Sequence, residues 1–186
     1  VGPRRPDAPS PGCAGVVVDQ AASTVSLPAG VALDLGGIGK GTAADRVADG
    51  LRARGVAAAC IALGGDVRAF GPGSDADGWL VPVEDPRHEG VTWFTHRVAD
   101  GAVATSTDRF RRWHHAGRPQ HHLIDPTTGR PAESGLTAVV VAHPSCATAE
   151  VLAKAAYVAG PVAGPAPVER LGGEAWCVPT GTPARA

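Results

Sequence analysis

A chain of 186 residues, 44% hydrophobic but only 4% aromatic, has the length of one domain and a core built mainly from Ala and Val. Its net charge of -1 excludes the clustered basic excess that nucleic-acid backbones require, and no apolar run reaches the length of a membrane span. Cys13, Cys60, Cys146 and Cys177 stand far apart without zinc-ligand spacing, so they are expected to be reduced, structural thiols of a cytoplasmic protein, unless an upstream leader anchors or exports it.

Residues 1–14 are rich in Pro and Gly and aperiodic, and are expected to form a disordered lead-in to a single domain over 15–186. The β-branched runs at 15–20 and 24–27 flank a turn and predict a hairpin. Residues 31–35 predict a strand that feeds a glycine-rich turn, Asp34-Leu35-Gly36-Gly37-Ile38-Gly39-Lys40-Gly41. Ala43, Ala44, Val47, Ala48 and Leu51 recur at helical spacing and predict a helix over 42–54 that Gly55 stops.

An apolar run at 57–63 ends in Gly64-Gly65-Asp66 and predicts a buried strand bent by glycine. Strands are expected at 79–83 and 91–98, with another starting at Ala102. A basic, aromatic segment, 109–115, is followed by His121-His122 and by Asp125-Pro126-Thr127-Thr128-Gly129, a strong turn signal. The histidines therefore end a strand that enters a tight turn, and His114-His115 is expected to be a solvated pair. A strand at 137–142 precedes a helix over 144–160, N-capped by Ser145 and stopped by Gly160. A Gly-Pro link, a short helical piece at 168–171 and a strand at 175–178 complete the chain. Together these elements predict an α+β fold of mixed, largely antiparallel sheets with two main helices.

Four glycines within 36–41 let the backbone approach a ligand closely, and the helix after them would offer unpaired N–H groups and a positive dipole end to a phosphate, with Lys40 as a mobile charge. Locally, a plain tight connection accounts for the turn equally well, because neither the Walker A nor the G-x-G-x-x-G pattern is complete. Adjacent histidines do not suit a four-ligand zinc site. Glu150 and Lys154, four apart on a helix, would also make an ordinary surface ion pair.

The order of the motifs discriminates. The glycine turn followed by Ala44-Asp45, then Leu63-Gly64-Gly65-Asp66, Ala104-Thr105-Ser106, His122-Leu123-Ile124-Asp125-Pro126 through Pro131, and Ala149-Glu150 through Ala155 resembles the ApbE-like family of FAD:protein FMN transferases. That resemblance implies an enzyme that binds FAD, cleaves its pyrophosphate with a divalent metal, usually magnesium, and attaches FMN to a Thr or Ser hydroxyl of an acceptor flavoprotein. By motif, Asp34 and Lys40 fall at flavin-binding positions and Ile124 at an FAD-contacting one, with Asp66 and Ser106 grouped beside them. Gly37 falls where a backbone oxygen meets the metal, and His122 where a histidine activates the acceptor hydroxyl.

The sequence departs from the family at three places. Many members carry Ala-Asp-Ala-x-x-Thr on the second helix, with Asp and Thr as metal ligands, where this chain has Glu150 and Lys154. A protonated lysine cannot ligate a metal, so Lys154 is expected to replace part of the metal's charge and to contact the phosphates. Thr107 stands at a frequent glycine position, and the segment before the glycine turn is shorter than is usual, as in a fragment or a shortened member. An FAD-binding pseudoenzyme, or an FAD pyrophosphatase releasing FMN and AMP, are the competing expectations.

Overall fold

The computed structural model describes residues 8–73 and 77–181. Two short strands, β1 (Val17–Asp19) and β2 (Thr24–Ser26), form the expected hairpin. Then follow α1 (Gly39–Arg52), β3 (Ala59–Leu63), β4 (Asp66–Phe70), β5 (Trp79–Glu84), β6 (Thr92–Val98) and β7 (Asp100–Thr107). The second half holds β8 (Arg112–His115), β9 (Arg118–His121), β10 (Leu136–His143), α2 (Cys146–Ala163), α3 (Pro165–Arg170) and β11 (Glu174–Pro179).

Five strands make the central sheet in the order β11-β10-β7-β4-β3, and every pairing in it is antiparallel. Both its faces are covered, so β7 and β10 are buried along most of their length and successive residues enter opposite cores. Val139 and Val141 of β10, with Ala102 and Ala104 of β7, pack under the helices against Ala149, Leu152, Ala153 and Tyr157. Val140 and Ala142, with Val103 and Ala69, pack on the opposite face against Val81, Val83 and Val98 of the β5–β6 hairpin. The result is three layers: helices, sheet and hairpin. Small residues dominate both cores, as composition implied, and Tyr157, on the inner face of α2, is the largest fully buried side chain among the described residues.

Ser145 caps α2 by accepting from the Thr148 N–H, and Gly160, at φ +84°, breaks the helix where expected. The expected Gly-Pro link instead resumes helical geometry at once, because Pro161 has no N–H to lose and is suited to a first turn. Residues 31–35 are not a strand: Leu33 and Leu35 are 46% and 65% exposed, and among the described residues no strand lies beside them. Helix α1 starts at Gly39, earlier than periodicity suggested, because the Leu35 carbonyl accepts from both Ile38 and Gly39 and winds the glycine turn directly into the helix. Cys60 is exposed on β3, at the sheet edge, and Cys13 is exposed as well, so neither is the packed thiol expected; Cys146 is buried and Cys177 half-buried.

Residues 1–7 of the expected lead-in lie outside the described residues, whereas 8–14 carry neither helix nor strand, and Ser10 donates to the Pro126 carbonyl at 2.7 Å. No helix among the described residues is long and apolar enough to cross a membrane.

Candidate active site

The first turn of α1 lies against the N-terminal half of α2, and Gly41 permits that approach. A Cβ there would stand 2.7 Å from the Ala147 Cα, closer than real Cβ contacts come. The short distance lets Glu150, buried in α2, accept the Gly41 N–H at 2.8 Å. Lys40 reaches across to Glu150 at 3.5 Å and forms a short ion pair with Asp66, which the Gly64-Gly65 turn sets at the start of β4. Asp66 is 1% exposed, and its other oxygen accepts the Thr105 N–H at 3.2 Å. Burial pushes its pKa above the ordinary carboxylate value despite Lys40, with Glu150 adding repulsion.

These bonds alter two expectations. The start of α1 is not an open phosphate cradle, because Gly39 donates to Leu35 and Gly41 donates to Glu150, whose charge answers the helix dipole. Nor is Lys40 a mobile charge, since two carboxylates hold it. The Glu150–Lys154 surface pair is also absent among the described ion pairs: Glu150 is buried and committed to α1, and Lys154 turns instead toward the glycine loop. A Cβ on Gly37 would collide with the Lys154 side chain, 3.0 Å from its Cε. The ammonium thus lies on bare backbone, and among the described residues no carboxylate pairs with it.

The two adjacent histidines separate clearly. His121 packs edge-on to Tyr157, with centroids 6.2 Å apart, and its Nδ1 accepts the Leu123 N–H. His122 Nδ1 is buried and has no hydrogen-bond partner. Burial lowers the pKa of His122 below the ordinary imidazole value, and the positive charges of Arg111 and Lys154 lower it further. It is therefore a neutral imidazole at pH 7, with one nitrogen uncommitted. His114 and His115 are exposed on β8, as expected.

Ser106 is nearly buried on the same face of β7 as Ala102 and Ala104, toward the helices. Ile124 bridges to Pro131 across the Asp125–Gly129 turn. Asp34 is exposed and accepts the Gly36 N–H at 2.7 Å; among the described contacts it does not join the Lys40 cluster. A concavity of about 900 Å³ is lined by His121, Tyr157, Asp108 and Arg112 rather than by the Lys40 group.

Sequence reasoning left Asp45 without a role. Its carboxylate accepts the Cys146 N–H, the Ala147 N–H and the Ser145 hydroxyl at 2.9–3.0 Å, clamping α1 to the start of α2. Burial alone would raise its pKa, but the two N–H groups, the hydroxyl and Arg68 outweigh it and hold the pKa low. Arg68 Nε lies 3.2 Å from Asp45, in an ion contact without hydrogen-bond alignment. An acidic residue on the inner side of an Ala-rich helix was the available signal.

Among the described residues, no group of three His, Cys, Asp or Glu side chains is placed to hold a metal ion. The two carboxylates of the Lys40 cluster are already engaged, Asp66 by Lys40 and the Thr105 N–H and Glu150 by the Gly41 N–H and Lys40, and the Lys154 ammonium beside Gly37 would repel a cation.

Residues 7–177 match the ApbE family model. The chain is 35% identical over 138 residues to the FAD:protein FMN transferase of Vibrio cholerae, a span covering 74% of this chain and 41% of that protein. It is 33% identical to the Treponema pallidum protein of the same name, over 79% of this chain and 43% of the other. The chain thus spans about two fifths of the length of these curated relatives. Among solved structures, the ApbE protein of Thermotoga maritima superposes with a TM-score of 0.80 at 34% identity, over 90% of this chain and 55% of that one. The flavinyl transferase ApbE of Pseudomonas stutzeri, in its apo form, gives 0.72 at 30% identity, over 90% and 51%. With nearly its whole length matched, and a core and glycine turn arranged as described above, this chain belongs to the ApbE family.

Proposed function

We propose that this protein takes part in FAD:protein FMN transfer, cleaving FAD and joining FMN to a Thr or Ser hydroxyl of an acceptor flavoprotein. The observation that carries the reading is an ammonium without a carboxylate partner, Lys154, set beside the glycine turn and within electrostatic reach of His122, a neutral imidazole whose buried Nδ1 has no hydrogen-bond partner. An anion and a hydroxyl are the chemical complements of those two groups.

In this reading Asp34, Lys40, Asp66, Ser106 and Ile124 line the flavin nucleotide, and Gly37 and Lys154 face its pyrophosphate. The imidazole of His122 takes the proton of the acceptor hydroxyl as that oxygen attacks the phosphorus bearing riboflavin. The P–O bond to the AMP phosphate breaks, and AMP leaves with the electron pair. The magnesium that the family resemblance implies, with Gly37, Glu150 and Lys154 at the ligand positions, does not fit the donors present, and no step is assigned to it.

Incubation with FAD and a Thr-containing acceptor, followed by mass measurement of the acceptor, tests the reading. A gain of one FMN supports transfer, whereas free FMN with AMP indicates a pyrophosphatase and binding without turnover a pseudoenzyme. His122→Ala is expected to lower transfer by about 10²- to 10⁴-fold while sparing FAD affinity. Equal loss of both assigns His122 to the fold.

A further inference from the structure

Two positive groups lie near the glycine turn, and they are in different states. Lys40 is neutralised by Asp66 and Glu150, two buried carboxylates that the fold holds in place. Lys154 has no such partner among the described residues, although its side chain is half-buried along Gly37. An ammonium left in this state on a protein surface suits an anion that completes it. Gly37 supports the same conclusion sterically, since any side chain there would push the lysine off the backbone.

We propose that Lys154 holds the FAD pyrophosphate in place of a divalent cation, so that FAD binding to this protein does not depend on magnesium. The inference rests on the flavin reading above. The charge occupies a position where the family resemblance implies a metal ligand, and it is delivered by α2, whose N-terminus is fixed by Ser145 and Asp45. The same charge helps to keep His122 unprotonated, so anchoring the anion and preparing the base come from one side chain. Glu150 is then freed from ligation and serves as the acceptor that joins Gly41 and Lys40 to α2.

Flavin fluorescence titration of the whole chain, in EDTA and again in excess magnesium, tests this. FAD affinity is expected to agree within about fivefold between the two buffers. FAD binding that is more than fivefold tighter with magnesium overturns the inference and leaves the flavin reading standing. Binding in neither buffer overturns both. Lys154→Gln, titrated in EDTA, is expected to weaken FAD binding by about tenfold or more, the range for losing a charged hydrogen bond, with an unchanged melting midpoint. Unchanged affinity in this variant refutes the assignment. A parallel fall in affinity and melting midpoint makes Lys154 a structural residue and refutes it as well.

Discussion

His121 and His122 are neighbours in sequence, yet only the fold divides their work, because a dipeptide repeat carries no information about which ring meets a partner. One ring is tied to Leu123 and Tyr157, while the other keeps a free nitrogen beside positive charge. Both pKa values lie below 6.5, burial being the main cause for each. The folded form of each therefore binds a proton less readily than the unfolded form. Stability from these two groups is complete above about pH 6.5 and is lost as pH falls from there toward the folded values. Proton NMR titration should find both ring midpoints below the ordinary value, and transfer should decline as pH drops through that of His122. A midpoint at or above the ordinary value for His122 would remove the neutral base from the mechanism.

At the scale of elements, the contact between α1 and α2 determines whether the cluster exists. Periodicity predicted both helices and the Ser145 cap, since these are local properties. It did not predict that α1 begins within the glycine turn, or that Asp45 would cap the other helix from one hundred residues away in sequence. Long-range hydrogen bonds leave no period in the chain. Residues 31–35 depart from the expected strand for a related reason: β-propensity describes a strand only when another strand is available to pair. Asp45→Ala removes three accepted hydrogen bonds and one partner of buried Arg68, and is expected to cost about 2–4 kcal/mol in denaturant unfolding. Gly41→Ala should cost about 1–3 kcal/mol, because its methyl group must displace the backbone at Cys146 and Ala147. If either variant unfolds at the wild-type midpoint, the helix contact is not what organises this region.

Across the whole molecule, the ordered motifs were legible as a set, whereas their meeting place was not. Residues 40, 66 and 150 come from α1, β4 and α2 and converge only because the antiparallel sheet puts β4 beside β7 beneath both helices. The same sheet separates this site from a second core on its other face, where Phe94 packs on Trp176 with centroids 4.9 Å apart and Trp93 meets Phe94 at 5.0 Å. Stability and binding should therefore be separable by choosing the face. Trp176→Ala opens a gap under the β5–β6 hairpin, and since Trp176 is only partly buried the expected loss is about 2–3 kcal/mol, below the range for a fully buried aromatic. Lys40 touches the other face, and its partners there do not include any residue of that aromatic cluster. Under conditions where the Trp176→Ala protein remains folded, its FAD affinity should stay within about twofold of wild type, because sites without shared partners behave nearly additively. A larger loss of affinity would mean that the sheet transmits strain between its faces, and the separation of the two layers would have to be abandoned.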